Sequence, residues 1–287
     1  MEAASLIGAR FAATMALLLV AGLPLHAMTL GALQPMAAAK RWTLTVLAVV
    51  AAIASIWWAL EAVAAMAGMT LATLDQETFT VVLAATPLGS VMEWRLTALA
   101  GVLFAMLLPL RAMRRSVAVL AGATALATMA WTGHAGASEG STGALHRASD
   151  VIHLLAAATW LGALAGFTAA AFGKNDSVRA TQLAAFARTG SVTVALLLLT
   201  GMVNTIAITG WPLPWGSRWT WLLALKLGIF AAMLGLAALN RWKITPALER
   251  REINATAHLQ RSLLLEFAFG LSVIGLVAWL GVLDPAA

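Results

Sequence analysis

The sequence contains no cysteine. Disulfides, thiolate metal sites and catalytic thiols are therefore excluded, and any metal would have to be held by histidine, methionine, carboxylate or backbone ligands. Charge is scarce as well. Asp, Glu, Lys and Arg make up 10% of the 287 residues, against about 25% in soluble domains. The chain has no HExxH zinc motif and no phosphate-binding P-loop, which argues against a zincin-type hydrolase and against an ATP-driven pump. The outer loop described below holds Ser138 and Ser141 near His134 and Glu139, but nothing suggests the strained elbow that a serine nucleophile requires. No enzymatic activity is expected. There is no internal repeat, no low-complexity tract and no apolar/polar alternation of the membrane β-barrel kind.

Apolar residues are what the chain has in excess. It is 61% hydrophobic with a mean hydropathy of +0.88. Segments near 20 residues recur that are long enough to cross a hydrocarbon core of about 30 Å as helices. The spans expected are roughly 5–25, 42–68, 91–110, 116–133, 145–171, 186–208, 219–240 and 263–283. The N-terminal stretch lacks the basic n-region of a signal peptide, since Glu2 comes first and Arg10 stands alone, and is read as the first span. The fold expected is a single all-α domain over 1–287, a polytopic membrane helix bundle of about eight transmembrane helices.

The net charge of +6 does not point to nucleic acid, because the basic residues sit in short loops between spans. Lys40 and Arg41, then Arg111, Arg114 and Arg115, then Lys174, Arg179 and Arg188, and finally Arg241, Lys243, Arg250, Arg251 and Arg261 follow every second span. The opposite loops carry Asp75, Glu77 and Glu139 with scattered arginines. Basic loops stay in the cytoplasm, so both termini are expected on the periplasmic side. The turn Trp211–Gly216 is an outer turn stiffened by two prolines and anchored by interfacial tryptophans. Gly162 and Gly166 form a GxxxG pair suited to a close helix contact.

Three of the five histidines fall within Thr132–His153, in the outer loop between spans 4 and 5 and the adjoining helix ends. If span 5 is helical from near Thr142, His146, Asp150 and His153 are spaced i, i+4, i+7 and share one face, which Trp160 extends. His146 and His153 are then about 10 Å apart along the axis. Two levels are expected, an upper one at His146–Asp150 and a deeper one at His153, with His134 free to swing toward either. A lone imidazole at membrane depth often does no more than hydrogen-bond a neighbouring helix; the grouping of three at one end is what suggests a ligand set. His26 and His258 are read as structural or solvated. Met66, Met69, Met92, Met129 and Met202 lie in or near outer halves of spans, where thioethers fill apolar gaps or bind soft metal ions. Asn204, Lys226, Glu61 and Glu266 also sit at membrane depth and need partners; Lys226 with Glu61 is one plausible pair.

The segments "WTGHA" (Trp131–Ala135) and "LHRASDVIHLLAAATWLGAL" (Leu145–Leu164) resemble the core of the copper resistance D (CopD) family of inner-membrane proteins, which carry SGHA and then a helix of the form H…D..H……W.GGL. "FARTG" at Phe186, "TGMVN" at Thr200, "LALKLG" at Leu223, "LNR" at Leu239 and "LLLEF" at Leu263 follow in family order. Gly162–Ala163 stands where the family has GG, and "AFARTG" is a looser form of its RFS. The resemblance covers residues 130–285, spans 4–8, whereas 1–120, spans 1–3, match as hydrophobic segments alone. It implies copper handling in the inner membrane, with metal taken from the periplasmic side, often beside a periplasmic copper-binding protein of the CopC type. It carries onto His134, His146, Asp150 and His153, with Trp160, Asn204 and Lys226 in supporting roles.

The expected function is a copper importer. His134 and His153 would be the deeper ligands, His146 and Asp150 the entrance, and Met129, Met66 and Met69 soft ligands if the ion is Cu(I) rather than Cu(II). Gly133, Gly136, Gly140 and Gly143 would let the outer loop close over an ion. His153→Ala should abolish high-affinity binding. Two other readings remain open. Paired histidines on adjacent membrane helices also describe a b-type haem electron carrier, and a copper sensor or scaffold needs no inner exit. The inner side offers His26, Met28 and Met36 alone for such an exit.

Overall fold

A computed structural model describes residues 2–30, 38–173 and 180–285. The described residues form helices and turns with no strand. In lipid the backbone finds no water, so a chain this apolar must satisfy its own amides, and helices do this within one segment. The main helices are α1 (Glu2–Thr29), α2 (Ala38–Met66), α4 (Leu88–Leu107), α5 (Arg111–Ala127), α7 (Gly140–Phe172), α8 (Ala180–Thr209), α9 (Arg218–Leu239) and α11 (Ala255–Leu280). Three short helices punctuate them: α3 (Gln76–Ala85), α6 (His134–Ala137) and α10 (Thr245–Glu249). A 3-10 turn, Thr128–Trp131, follows α5, and a π turn, Asn240–Ile244, continues α9.

Seven of the helices are long and apolar enough to cross a membrane. The eighth expected span is α5. It has 17 residues, about 25 Å at 1.5 Å per residue, and three arginines in its first two turns dilute its apolarity. It packs between α1, α4 and α7, and its continuation leads directly to His134.

α1 is the central helix, packed on α2, α5, α7 and α11. Its buried face is Ala9, Ala13, Ala16, Leu17, Val20 and Ala21, and small residues allow neighbours to approach closely. The closest crossing is with α7. A Cβ added to Gly22 would lie 2.1 Å from the Ala158 carbonyl oxygen, and one on Gly162 would lie 2.2 Å from the Gly22 backbone. The close contact expected of the GxxxG pair is therefore present, and its partner is a third glycine. One turn on, Gly166 faces the His26 ring, where a Cβ would lie 3.0 Å from Cδ2. Large apolar side chains on α2, α8 and α9 that face away from the bundle, such as Ile53, Leu199 and Leu225, are suited to lipid.

The basic loops do more than carry charge. At the end of the bundle where α1 finishes, Arg41 donates to the Met106 carbonyl and Arg115 to the Ala27 carbonyl. Arg114 donates to the Leu108 carbonyl at 2.5 and 3.0 Å. Each closes the carbonyl end of a helix, where the backbone carries partial negative charge. Lys174, Arg179 and Met36 lie outside the described residues. His26 is buried at this end with its ring edge-on to Phe167 and Phe186, and His258 is exposed, so neither presents an obvious ligand. Met28 is 51% exposed.

At the opposite end, Arg10 of α1 donates to the Gly281 carbonyl just after α11 at 3.3 Å, so both termini lie there. The exposed tryptophans Trp211 and Trp215 hold the turn before α9 at this end. α3 is not among the elements expected from sequence, since its ten residues are too short to span. It is capped by Asp75, which accepts from the Thr78 amide at 2.8 Å and the Thr78 hydroxyl at 2.9 Å. These bonds hold the Asp75 carboxyl below the ordinary aspartate range. A depressed folded-state value means the cap is fully present above the unfolded aspartate value and lost as pH falls through the lower folded one. The protection of the Thr78 amide, its slowing relative to an unstructured amide at the same pH, is expected to persist at pH 5 and to fall in stronger acid. Asp75→Ala should lower it already at pH 5.

Candidate metal-binding site at the terminal end of the bundle

The end that holds both termini also gathers His146, Asp150, His153, Asn204 and Lys226, whereas Glu266 accepts from Asn240 toward the other end. α7 begins at Gly140, two residues earlier than the sequence suggests, and its regular turns place His146, Asp150 and His153 in descending order on one side. α8 runs alongside and presents Thr200 and Asn204, one turn apart, to these residues. Their spacing matches that of α7, so the two helices are bonded rung by rung. Ser149 donates to the Thr200 carbonyl at 3.3 Å. Asn204 Nδ2 donates to Asp150 Oδ1 at 3.1 Å. His153 Nδ1 and Thr200 Oγ1 are 2.9 Å apart.

The upper level is built by the short helix α6. His134 opens it, and Ser138 follows it. The Ser138 hydroxyl donates to the His134 carbonyl at 3.2 Å and lies 3.0 Å from His146 Nδ1. A hydroxyl has one proton. When that proton goes to the His134 carbonyl, the Ser138 oxygen accepts from His146, and the imidazole then carries its hydrogen on Nδ1 and its lone pair on Nε2. The same logic holds one level down. Thr200 donates to the Leu196 carbonyl at 2.5 Å, so His153 Nδ1 is the donor to Thr200 and Nε2 keeps the lone pair. An outer partner that fixes the tautomer in this way is what a metal-ligating histidine ordinarily has.

His146 is buried and within electrostatic range of His134. His134 Nε2 is also buried and has no hydrogen-bond partner among the described residues. Burial pushes the His134 imidazole below the ordinary histidine range, with Arg10 adding to the effect and the Leu280 carbonyl and Asp284 opposing it. Its neutral form, the one with a lone pair to give, therefore prevails at neutral pH.

The middle level is Asp150. Besides Asn204, its carboxylate lies in the fields of Lys226 and Arg10. Lys226 comes from α9, which packs on α11 and makes no close backbone approach to α7 or α8 among the described residues. Lys226 acts on Asp150 through its charge, with no ion pair between them among the described residues. The suggested Lys226–Glu61 pair is corrected: the carboxylate whose field reaches Lys226 is Asp150, while Glu61 accepts from Ser5 and, at 3.1 Å, from Trp57 Nε1. Both are at the terminal end, but α1 separates their helices. The lowest level is His153, half-buried beside Thr200 with Lys226 nearby.

The four expected ligands are thus stacked, with His134 beside His146 rather than beside His153. Among the described residues no three of His, Asp and Glu are close enough to hold one ion. The methionines do not complete a set. Met66 is 53% exposed at the end of α2, a helix that does not touch α7, and Met69 lies in the loop beyond it. Met129 lines a small cavity with Arg10 and Arg95 instead. Trp160 is buried deeper, edge-on to Phe186 with ring centroids 6.4 Å apart. Neither Thr200 nor Arg95 is a candidate from the sequence, Ser138 enters there as a rejected nucleophile, and Arg10 as the lone charge of the first span. The two arginines carried a usable signal, being charges well inside apolar spans; the two hydroxyls carried none.

The architecture is that of a multi-pass helical membrane protein with a histidine- and carboxylate-bearing polar column at one end. Comparison with known proteins is specific about the family. A family model described as the N-terminal domain of copper resistance protein D-like proteins matches residues 1–144, and one described as copper resistance protein D matches residues 180–280. The chain is 37% identical over 216 residues to the copper resistance protein D of Pseudomonas syringae pv. tomato, covering 70% of this chain and 69% of that protein. It is 28% identical over 205 residues to the inner membrane protein YebZ of Escherichia coli (strain K12), covering 70% of each. No solved structure matches. The chain belongs to the copper resistance protein D family, and its relatives and seven apolar helices make it a multi-pass inner-membrane protein. The first 120 residues, read from sequence as hydrophobic spans, fall within the first family match. His146, Asp150 and His153 fall between the two matched stretches.

Proposed function

We propose that the protein binds copper at the terminal end of its bundle through His134 and His146, and passes it inward past Asp150 and His153. The observation that carries this reading is the anchoring of His146 and His153 at Nδ1 by Ser138 and Thr200, hydroxyls that also lie within donating distance of a helix carbonyl. In this reading each hydroxyl gives its proton to that carbonyl, and both imidazoles keep Nε2 as the lone-pair nitrogen. Two neutral imidazoles with no third ligand in reach suit Cu(I), a closed-shell ion that accepts low coordination numbers, better than Cu(II), which asks for four or more ligands. In this reading the terminal end faces the periplasm, because the basic loops lie at the other end. A periplasmic copper-binding protein of the CopC type would deliver the ion there. No covalent chemistry is assigned to the chain and no ATP is used.

The test is copper loading of the detergent-purified protein with an absorption spectrum. The expected result is about one ion per chain and no Soret band. A Soret band lost on replacing His146 or His153 would make the column a haem pocket and overturn the reading. Ser138→Ala, which removes an outer partner and no ligand, is expected to weaken copper binding about 10- to 100-fold, measured by competition with a chelator. Cellular copper accumulation that does not depend on the chain would make the protein a sensor or scaffold.

A further inference from the structure

Arg95 of α4 is the largest fully buried side chain among the described residues, 1% exposed. Its Nε donates to Thr128 Oγ1 at 2.8 Å, and Thr128 in turn donates to the Ala125 carbonyl at 2.6 Å. The guanidinium lies over the Trp58 ring, 5.2 Å from its centroid. Its Nη2 is buried and has no hydrogen-bond partner among the described residues. Among the described residues no carboxylate is within ion-pair distance of it; the ion pair that does form is the surface one between Arg250 and Glu252. The nearest charge that bears on Arg95 is another cation, Arg10 of α1.

The two arginines line one cavity together with Thr14, Trp58, Met129 and Thr132. It leaves about 10 Å³ for the centre of a water-sized sphere, which is room for a single particle. A buried cation without a counter-charge is among the most costly arrangements a fold can hold. A water molecule would accept from Nη2 but would leave the charge uncompensated. A small anion does both.

We propose that this cavity binds one monovalent anion of chloride size, held between the guanidinium groups of Arg95 and Arg10. Polyatomic oxyanions such as sulfate are too large for it. The site is built by α1, α2, α4 and the turn after α5, and so gives the N-terminal helices a ligand of their own, separate from the histidine column. Arg10 joins the two places. Its side chain lines the cavity, its charge lies in the field of Asp150, and its Nη2 would be 3.5 Å from a Cβ on Gly133, the residue before His134.

The experiment is a thermal melt of the full-length protein in detergent, without copper, as chloride replaces gluconate at constant ionic strength. Chloride and bromide are expected to raise the midpoint by about 2–4 °C and to saturate, while sulfate is expected to match gluconate. Arg95→Met should remove the dependence. Bromide-grown crystals of the wild type provide a readout that does not rely on a variant folding, with an anomalous peak expected beside Arg95 Nη2. A midpoint indifferent to chloride, an equal rise with sulfate, an unchanged response in Arg95→Met, or a cavity without an anomalous peak would each overturn the proposal.

Discussion

Replacing Gly162 by alanine is expected to abolish stable folded protein. A Cβ there would sit 2.2 Å from backbone atoms of Gly22, and backbone on both sides of a helix crossing cannot swing aside as a side chain can. α1 and α7 would have to separate, and α7 carries the histidine column. Overpacking in a tight core costs about 1–3 kcal/mol, and a clash with main chain lies at or above the top of that range. The check is the yield and melting temperature of detergent-solubilised protein. Gly22→Ala should behave the same way, since its Cβ would lie 2.1 Å from the Ala158 oxygen. Gly166→Ala should be milder, because what it meets is the edge of the His26 ring at 3.0 Å. Gly228→Ala and Gly275→Ala, with no atom within 4 Å of the new Cβ, serve as controls and should be neutral or stabilising by up to about 1 kcal/mol. A Gly162→Ala protein with wild-type stability would show that the two helices are not in contact at this point.

The second large effect is on metal. His146→Ala is expected to lower copper affinity by more than about 100-fold, beyond the loss for a mere outer partner, and His134→Ala to do the same. The two act as one site, so the double variant should be little worse than either single one. His153→Ala has a different expected outcome under the stacked geometry. It should spare the first ion bound and block its passage, leaving copper bound to purified protein but cellular accumulation reduced. Equilibrium titration and whole-cell copper content distinguish these results. Loss of all binding in His153→Ala, with His134→Ala and His146→Ala unaffected, would move the primary site down to the level of Thr200.

Much of this molecule can be read from its residues in order. A membrane offers the backbone no hydrogen-bond partners, so long apolar segments have essentially one solution, and the positions of seven spans and of the shorter α5 follow from composition alone. The histidine stripe could be read for the same reason, since a helix fixes which of its own residues share a face. Boundaries shifted where the polar flanks themselves are helical, as at Gly140–Ala144 and at Ala255–Ser262, which prolong α7 and α11 beyond their apolar stretches.

The sequence by itself determined the depth of each polar residue and its direction on its own helix: His146, Asp150 and His153 in descending order on α7, Lys226 two turns into α9, and charges kept to alternate ends. It could not determine which helix stands opposite, because depth and face are properties of one helix and azimuth around the bundle is a property of all of them together. That was decided in tertiary structure. The glycine crossing at Gly22 sets α7 against α1. With that crossing in place Asp150 and Arg10 share a field, and the carboxylate that Lys226 acts on is Asp150 instead of Glu61. Elsewhere in the bundle α1, α2, α4 and the turn after α5 enclose Arg95 beside a cavity, with no carboxylate at ion-pair distance among the described residues.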